Sequence, residues 1–208
     1  MCSRLRSSVT GVLGLVVISW SGTPAQEQAP TGWRLTGNSA SNYSITVDAS
    51  AKYAGTGSCS ILSKPDLLPP ADGYGTLIQT FRADRYRARR IRLTAFIKTR
   101  GVERSAALWM RIDGREKSGL AFDNMRDRPI TGTTDWGQYH VVLDLPPEAA
   151  RIAFGVLLRG VGQVWADNFR FEVVGKDFGV TGQALRGGSP PTIPADLPEG
   201  PSNLSCER

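Results

Sequence analysis

In the run "AALWMRID", residues 106 to 113, Trp109, Arg111 and Asp113 alternate with Leu108, Met110 and Ile112. Successive side chains of a strand point to opposite faces. An indole, a guanidinium and a carboxylate would therefore share one face, and three aliphatic side chains the other. The preceding run, "RRIRLTAFIKT" (89 to 99), sets Ile91, Leu93, Ala95 and Ile97 against Arg92, Thr94, Phe96 and Lys98. Gln79, in "YGTLIQTF" (74 to 81), could join the polar face from a neighbouring strand. Aromatic plates flanked by hydrogen-bonding groups suit a sugar. Its C–H face stacks on the ring while Asp, Gln and Arg satisfy its hydroxyls. The plainer alternative is that Trp109 and Phe96 are core side chains.

The stretch "LAFDNMRDRPITGTTDW" (120 to 136) follows. Asp123, Asn124, Arg126 and Arg128 could form a rim beside the Trp109 face, or Asp127-Arg128-Pro129 could order the loop by internal ion pairing. Hydrolytic chemistry is poorly served. A glycosidase pair requires one carboxyl poised to donate a proton, whereas Asp113, Asp123 and Asp127 lie near arginines positioned to pair with them. His140 is the one histidine, and no "G-x-S-x-G" accompanies it. A catalytic role is therefore not expected. Six arginines between Arg82 and Arg92 could attract an anionic partner; a solvated strand edge explains them as well.

The elements that must position these groups are strands. Alternating or β-rich runs occur at 43 to 48, 58 to 63, 74 to 81, 89 to 99, 106 to 113, 138 to 145, 151 to 160 and 163 to 174. Gly, Pro, Asp and Asn clusters separate them, and no long amphipathic helix competes. Such a pattern predicts an all-β antiparallel sandwich or barrel. "PPEAA" (146 to 150) suggests a single helical turn. Trp136 and Trp165 fit framework packing.

Outside the strands the chain changes character. Residues 1 to 25 have the form of a signal peptide: Arg4 and Arg6, the apolar run "VTGVLGLVVISW" (9 to 20), then Thr23-Pro24-Ala25 before Gln26. That predicts an exported protein, periplasmic or extracellular, with no membrane span after cleavage. The apolar run is short for a permanent anchor. With Arg4 and Arg6 removed the net charge falls from +6 to +4. Export argues against a nucleic-acid partner. Residues 26 to 32 read as a linker and 33 to 175 as the β-sandwich domain. Residues 176 to 208, rich in Pro, Gly and Ser, read as a disordered tail. Cys59 and Cys206 could pair, although a buried free Cys59 is the plainer expectation.

"GTLIQTFRADRYRARRIRLTAFIKT" and "TTDWGQYHVVLDLPPEAARIAFGVLLRGVGQVWADNFRFEVV" resemble galactose-binding-domain-like jelly rolls, among them CenC-type carbohydrate-binding modules. "LWMRIDG" and "FDNMRDRPITGTTDW" are similar to a narrower bacterial subfamily, found as stand-alone exported domains or appended to regulators with helix-turn-helix regions. The resemblance covers roughly residues 31 to 175. It implies a jelly-roll binding module with a glycan or polysaccharide as partner. The alternatives are a structural or protein-interaction domain on the same fold and, with less support, a small hydrolase. It also implies a structural calcium at Asp167 of "VWADN", for which Asp48 could supply a second carboxylate. The acidic N-terminal start typical of calcium-binding relatives is missing here, and a strand-end role for Asp167 is the plainer reading.

Overall fold

The computed structural model describes residues 29 to 185 and 188 to 207; the expected signal peptide lies outside them. Nine strands follow in chain order: β1 (Arg34–Thr36), β2 (Tyr43–Asp48), β3 (Ser58–Ser63), β4 (Tyr74–Arg82), β5 (Arg90–Gly114), β6 (Ala121–Asp123), β7 (Ile130–Asp144), β8 (Ala149–Arg159) and β9 (Gln163–Val174). All the pairings are antiparallel, in the order β1-β4-β8-β5-β9-β3-β2, with β6 and β7 also on β5.

The 25-residue strand β5 organises the molecule. Its first half pairs with β9 on one side and β7 on the other. Its second half pairs with β8 and β6. Between them the register against β7 slips at Thr99, Val102 and Ala106, and Gly101 adopts φ +59°, a conformation that glycine takes without the steric cost other residues bear. The sheet folds over along β5 into two layers, a jelly-roll sandwich.

Alternation placed the core correctly. Ile91, Leu93, Ala95, Ile97, Leu108, Met110 and Ile112 are all buried, each large aliphatic side chain contributing about 1.5–3 kcal/mol by leaving water. Phe154 is the centre of an aromatic cluster, with ring centroids at 5.3 Å from Trp33, 5.8 Å from Phe81 and 4.8 Å from Phe171. Edge-on geometry places ring hydrogens against the negative π-face. Residues 146 to 149 form a tight turn closed by the Ala149 N–H on the Pro146 carbonyl, not a helical turn.

The segment after Val174 departs most from expectation. Rather than lying free, it straps both layers. The Thr181 N–H donates to the Val142 carbonyl, Gln183 and Phe122 exchange two backbone hydrogen bonds, and the Arg82 N–H donates to the Pro198 carbonyl. Near its end the Phe169 N–H donates to the Leu204 carbonyl. Cys206 is fully buried and disulfide-bonded to Cys59, with Cα atoms 5.1 Å apart. A few anchors, Leu197, Leu204 and Cys206, hold a segment whose average composition is that of a linker. Backbone hydrogen bonds offset part of the ordering entropy.

Candidate functional site

A pocket of about 680 Å³ opens on the outer face of the layer formed by β1, β4, β8 and the second half of β5. Its floor follows from the pairing register. Alternate residues Ser105, Ala107, Trp109 and Arg111 of β5 line it, as do Leu157 and Arg159 of β8 and Tyr74, Thr76 and Ile78 of β4. Trp109 and Ile78 are both directly opposite Gly155 of the intervening strand. There is no room for a Cβ at Gly155, which would run into the Leu77 carbonyl. With no side chain beneath it, the indole reaches across β8, and its Nε1–H donates to Thr76 Oγ1 at 2.8 Å.

One wall comes from the stretch between β5 and β7: Phe122, Asn124, Met125, Arg126 and Pro129. Asp123 and Arg128 build that wall without lining the pocket. The Asp123 carboxylate accepts the Met125 N–H at 2.7 Å, holding Met125 at φ +53°, and is ion-paired to Arg128 Nη2. Arg128 also holds Asp127 at 2.8 Å and the His140 carbonyl at 3.3 Å. Burial works against the Arg128 charge, but the hydrogen bond and field of Asp123, with Asp127, outweigh it and raise the pKa. The pairing orders the loop, and Asn124 and Arg126 ride on it.

The remaining expected residues fall in four places. Trp109 shares the outer face with Arg111, opposite Leu108 and Met110, but it is only 7% exposed, a floor rather than an open plate. Thr76 and the loop wall enclose it. Asp113 is fully buried and accepts hydrogen bonds from Arg111, Arg151 and the Gly119 N–H. It is a structural anchor below Arg111 and does not line the pocket. Gln79 is an odd step from Thr76 and Ile78. It faces away from the pocket, where its amide exchanges hydrogen bonds with the Ser202 backbone at 2.6 and 3.1 Å. Phe96 lies beyond the bend of β5, on the other layer. There it stacks on Tyr53 with centroids 3.5 Å apart.

Tyr74, Phe122 and Arg159, absent from the expected set, contribute half-buried rings and a free-standing cation. Only the pairing of β4 with β8, and of β8 and β6 with β5, brings them together, and that register is not written in any one segment. Trp136 is half-exposed beside Tyr53, not core. Trp165 is buried and donates to Asp48 Oδ2 at 2.8 Å.

The carboxylates proposed for calcium are engaged otherwise. Asp167 is fully buried and accepts the backbone N–H groups of Tyr53, Ala54 and Asn168 at 2.9, 2.9 and 2.6 Å. Asp48 accepts from Ser50 and Trp165. A calcium site needs six to eight oxygen ligands, whereas both residues present their oxygens to N–H and O–H donors. Among the described residues no group of three or more His, Cys, Asp or Glu side chains could hold a metal ion. In this arrangement the pair does not fit a calcium site.

No family model matches the chain. It is 40% identical over 181 residues, 87% of its length, to an uncharacterised HTH-type transcriptional regulator, YbfP of Bacillus subtilis (strain 168). The chain spans 58% of that relative's length. Among solved structures it is similar to the enzymatically active domain of tailspike protein 4 of bacteriophage CBA120, with a TM-score of 0.54 and 14% identity over 71% of this chain and 20% of that one. It also resembles the CBM22-1 xylan-binding domain of Xyn10C from Paenibacillus barcinonensis, with a TM-score of 0.49 and 13% identity over 71% of this chain and 90% of that one. The chain has the β-sandwich, jelly-roll fold that its sequence resemblance implied. At these identities the likeness to solved structures concerns the fold alone.

Proposed function

We propose that the chain is an exported, non-catalytic module that binds a carbohydrate in the pocket floored by Trp109. One observation carries the reading: the pocket combines ring surfaces with hydrogen-bonding groups on a regular sheet face. Tyr74 and Phe122 offer half-buried aromatic surface, and Ser105, Asn124 and Arg111 surround it with donors and acceptors. Its volume of about 680 Å³ falls among ligand sites of roughly 300–1,000 Å³. Binding is favoured over hydrolysis because, among the described residues, neither a carboxylate nor a histidine lines it. Cleavage of a glycosidic bond ordinarily uses two carboxyl groups. Export is supported by the pattern of residues 1 to 25 and by the Cys59–Cys206 cross-link, of a kind that persists in oxidising compartments.

The test is a glycan array probed with the chain beginning at Gln26, alongside Tyr74→Ala and Phe122→Ala. The expected result is a defined set of oligosaccharides whose binding both variants lose while their thermal melts stay near that of the parent. No binding to any glycan, or binding indifferent to both changes, would overturn the proposal.

A further inference from the structure

We infer that the saccharide is acidic, and that Arg126 and Arg159 receive its anionic substituent. The inference rests on the carbohydrate reading of the pocket and narrows it to a class. Three arginines line the cavity and no acid does, among the described residues. Arg111 is balanced from below, where its Nε lies 2.9 Å from the buried Asp113 carboxylate. That carboxylate is shared, since Arg151 Nη2 is 2.7 Å from its other oxygen, so one negative charge serves two guanidiniums. Arg126 and Arg159 form no ion pair with any described acid. Both are exposed and both border the pocket, one from the loop wall and one from the end of β8.

Several other arginines illustrate the contrast. Arg82 and Arg87 hold Asp84, Arg90 holds Asp144 and Arg92 holds Glu172. The basic run at 82 to 92 is thus largely a set of local pairs, and the cations without acidic partners that face a concavity are elsewhere. A neutral sugar would leave this positive field unanswered. A hexuronate carboxylate or a sulfate ester presents paired oxygens to the planar guanidinium fork, a geometry in which both hydrogen bonds and charge contribute.

Isothermal titration of the chain from Gln26 separates the possibilities, using oligogalacturonate, a neutral galacto-oligosaccharide of equal length and its sulfated counterpart. We expect the uronate or the sulfated sugar to bind at least tenfold more tightly than the neutral one, with affinity falling as salt rises. The stronger of the two identifies the anionic group. Arg126→Gln and Arg159→Gln should each weaken that ligand by roughly 10–100-fold, the usual worth of a charge-assisted hydrogen bond, with melts unchanged. Equal binding of neutral and acidic sugars, or arginine variants without effect, overturns the acidic assignment and leaves the carbohydrate reading standing. If neither these sugars nor any arrayed glycan binds, both fail.

Discussion

Trp109 has two surfaces with different jobs. One packs over Gly155 and is tied to Thr76, and the other borders the pocket. Because the side chain is 7% exposed, Trp109→Ala should destabilise the fold by about 3–5 kcal/mol, as buried aromatic truncations do. Urea denaturation followed by fluorescence measures this directly. A loss below about 1 kcal/mol would return Trp109 to the role of an exposed plate. Asp48 supports a prediction in pH. Burial tends to raise its pKa, but hydrogen bonds from Ser50, Trp165 and the Ala51 backbone outweigh that and hold it below the ordinary value. A carboxyl depressed in the folded state contributes stability above its unfolded pKa, near 3.9, and loses it as pH falls through the folded value. Asp48→Asn should therefore be less stable than the parent at neutral pH, and the gap should narrow below about pH 4. Denaturation midpoints between pH 7 and 2 test this, and parallel curves would refute it.

Among the elements, strands could be read because alternation is local. Runs 43 to 48, 58 to 63 and 163 to 174 coincide with β2, β3 and β9. The three-residue strands β1 and β6 carry too short a pattern to detect. Residues 100 to 105 look like a turn, yet β5 passes through them as a bent strand, and that bend sends Phe96 and Trp109 to different layers. A smaller part of the pocket was legible for the same reason. Trp109, Arg111 and Asn124 come from segments whose pattern or composition marks them, whereas Tyr74 and Arg159 depend on non-local register. The tail misled because composition averages over residues, while anchoring depends on a few of them. Cys206→Ser should cost about 2–4 kcal/mol, given the 147-residue separation it cross-links. The parent should lose a similar amount on reduction. Thermal melts with and without reductant check both, and a variant as stable as the parent would mean that the strap holds without its covalent bond.

For the whole molecule, the N-terminal pattern predicts that exported protein begins at Gln26 or within a few residues of it, as intact-mass measurement would show. Recovery of a chain starting at Met1 from the membrane fraction would refute it. The two ends of the described domain also meet. The Trp33 indole donates to the Asn203 carbonyl, and Asn203 Nδ2 donates to the Thr31 carbonyl.

Load applied at the two ends would enter the fold at this single point. With Cys59 and Cys206 joined, the described residues leading up to Cys59 can be extended, about 30 residues from Ala29 or roughly 100 Å at full extension. Everything between the two cysteines is shielded from tension. Cutting the cross-link should lengthen the reach to roughly 600 Å, a change that optical-trap recordings of one molecule, before and after reductant, would resolve. In its oxidised form the domain would act as a nearly inextensible link, with the strands that floor the pocket inside the protected loop.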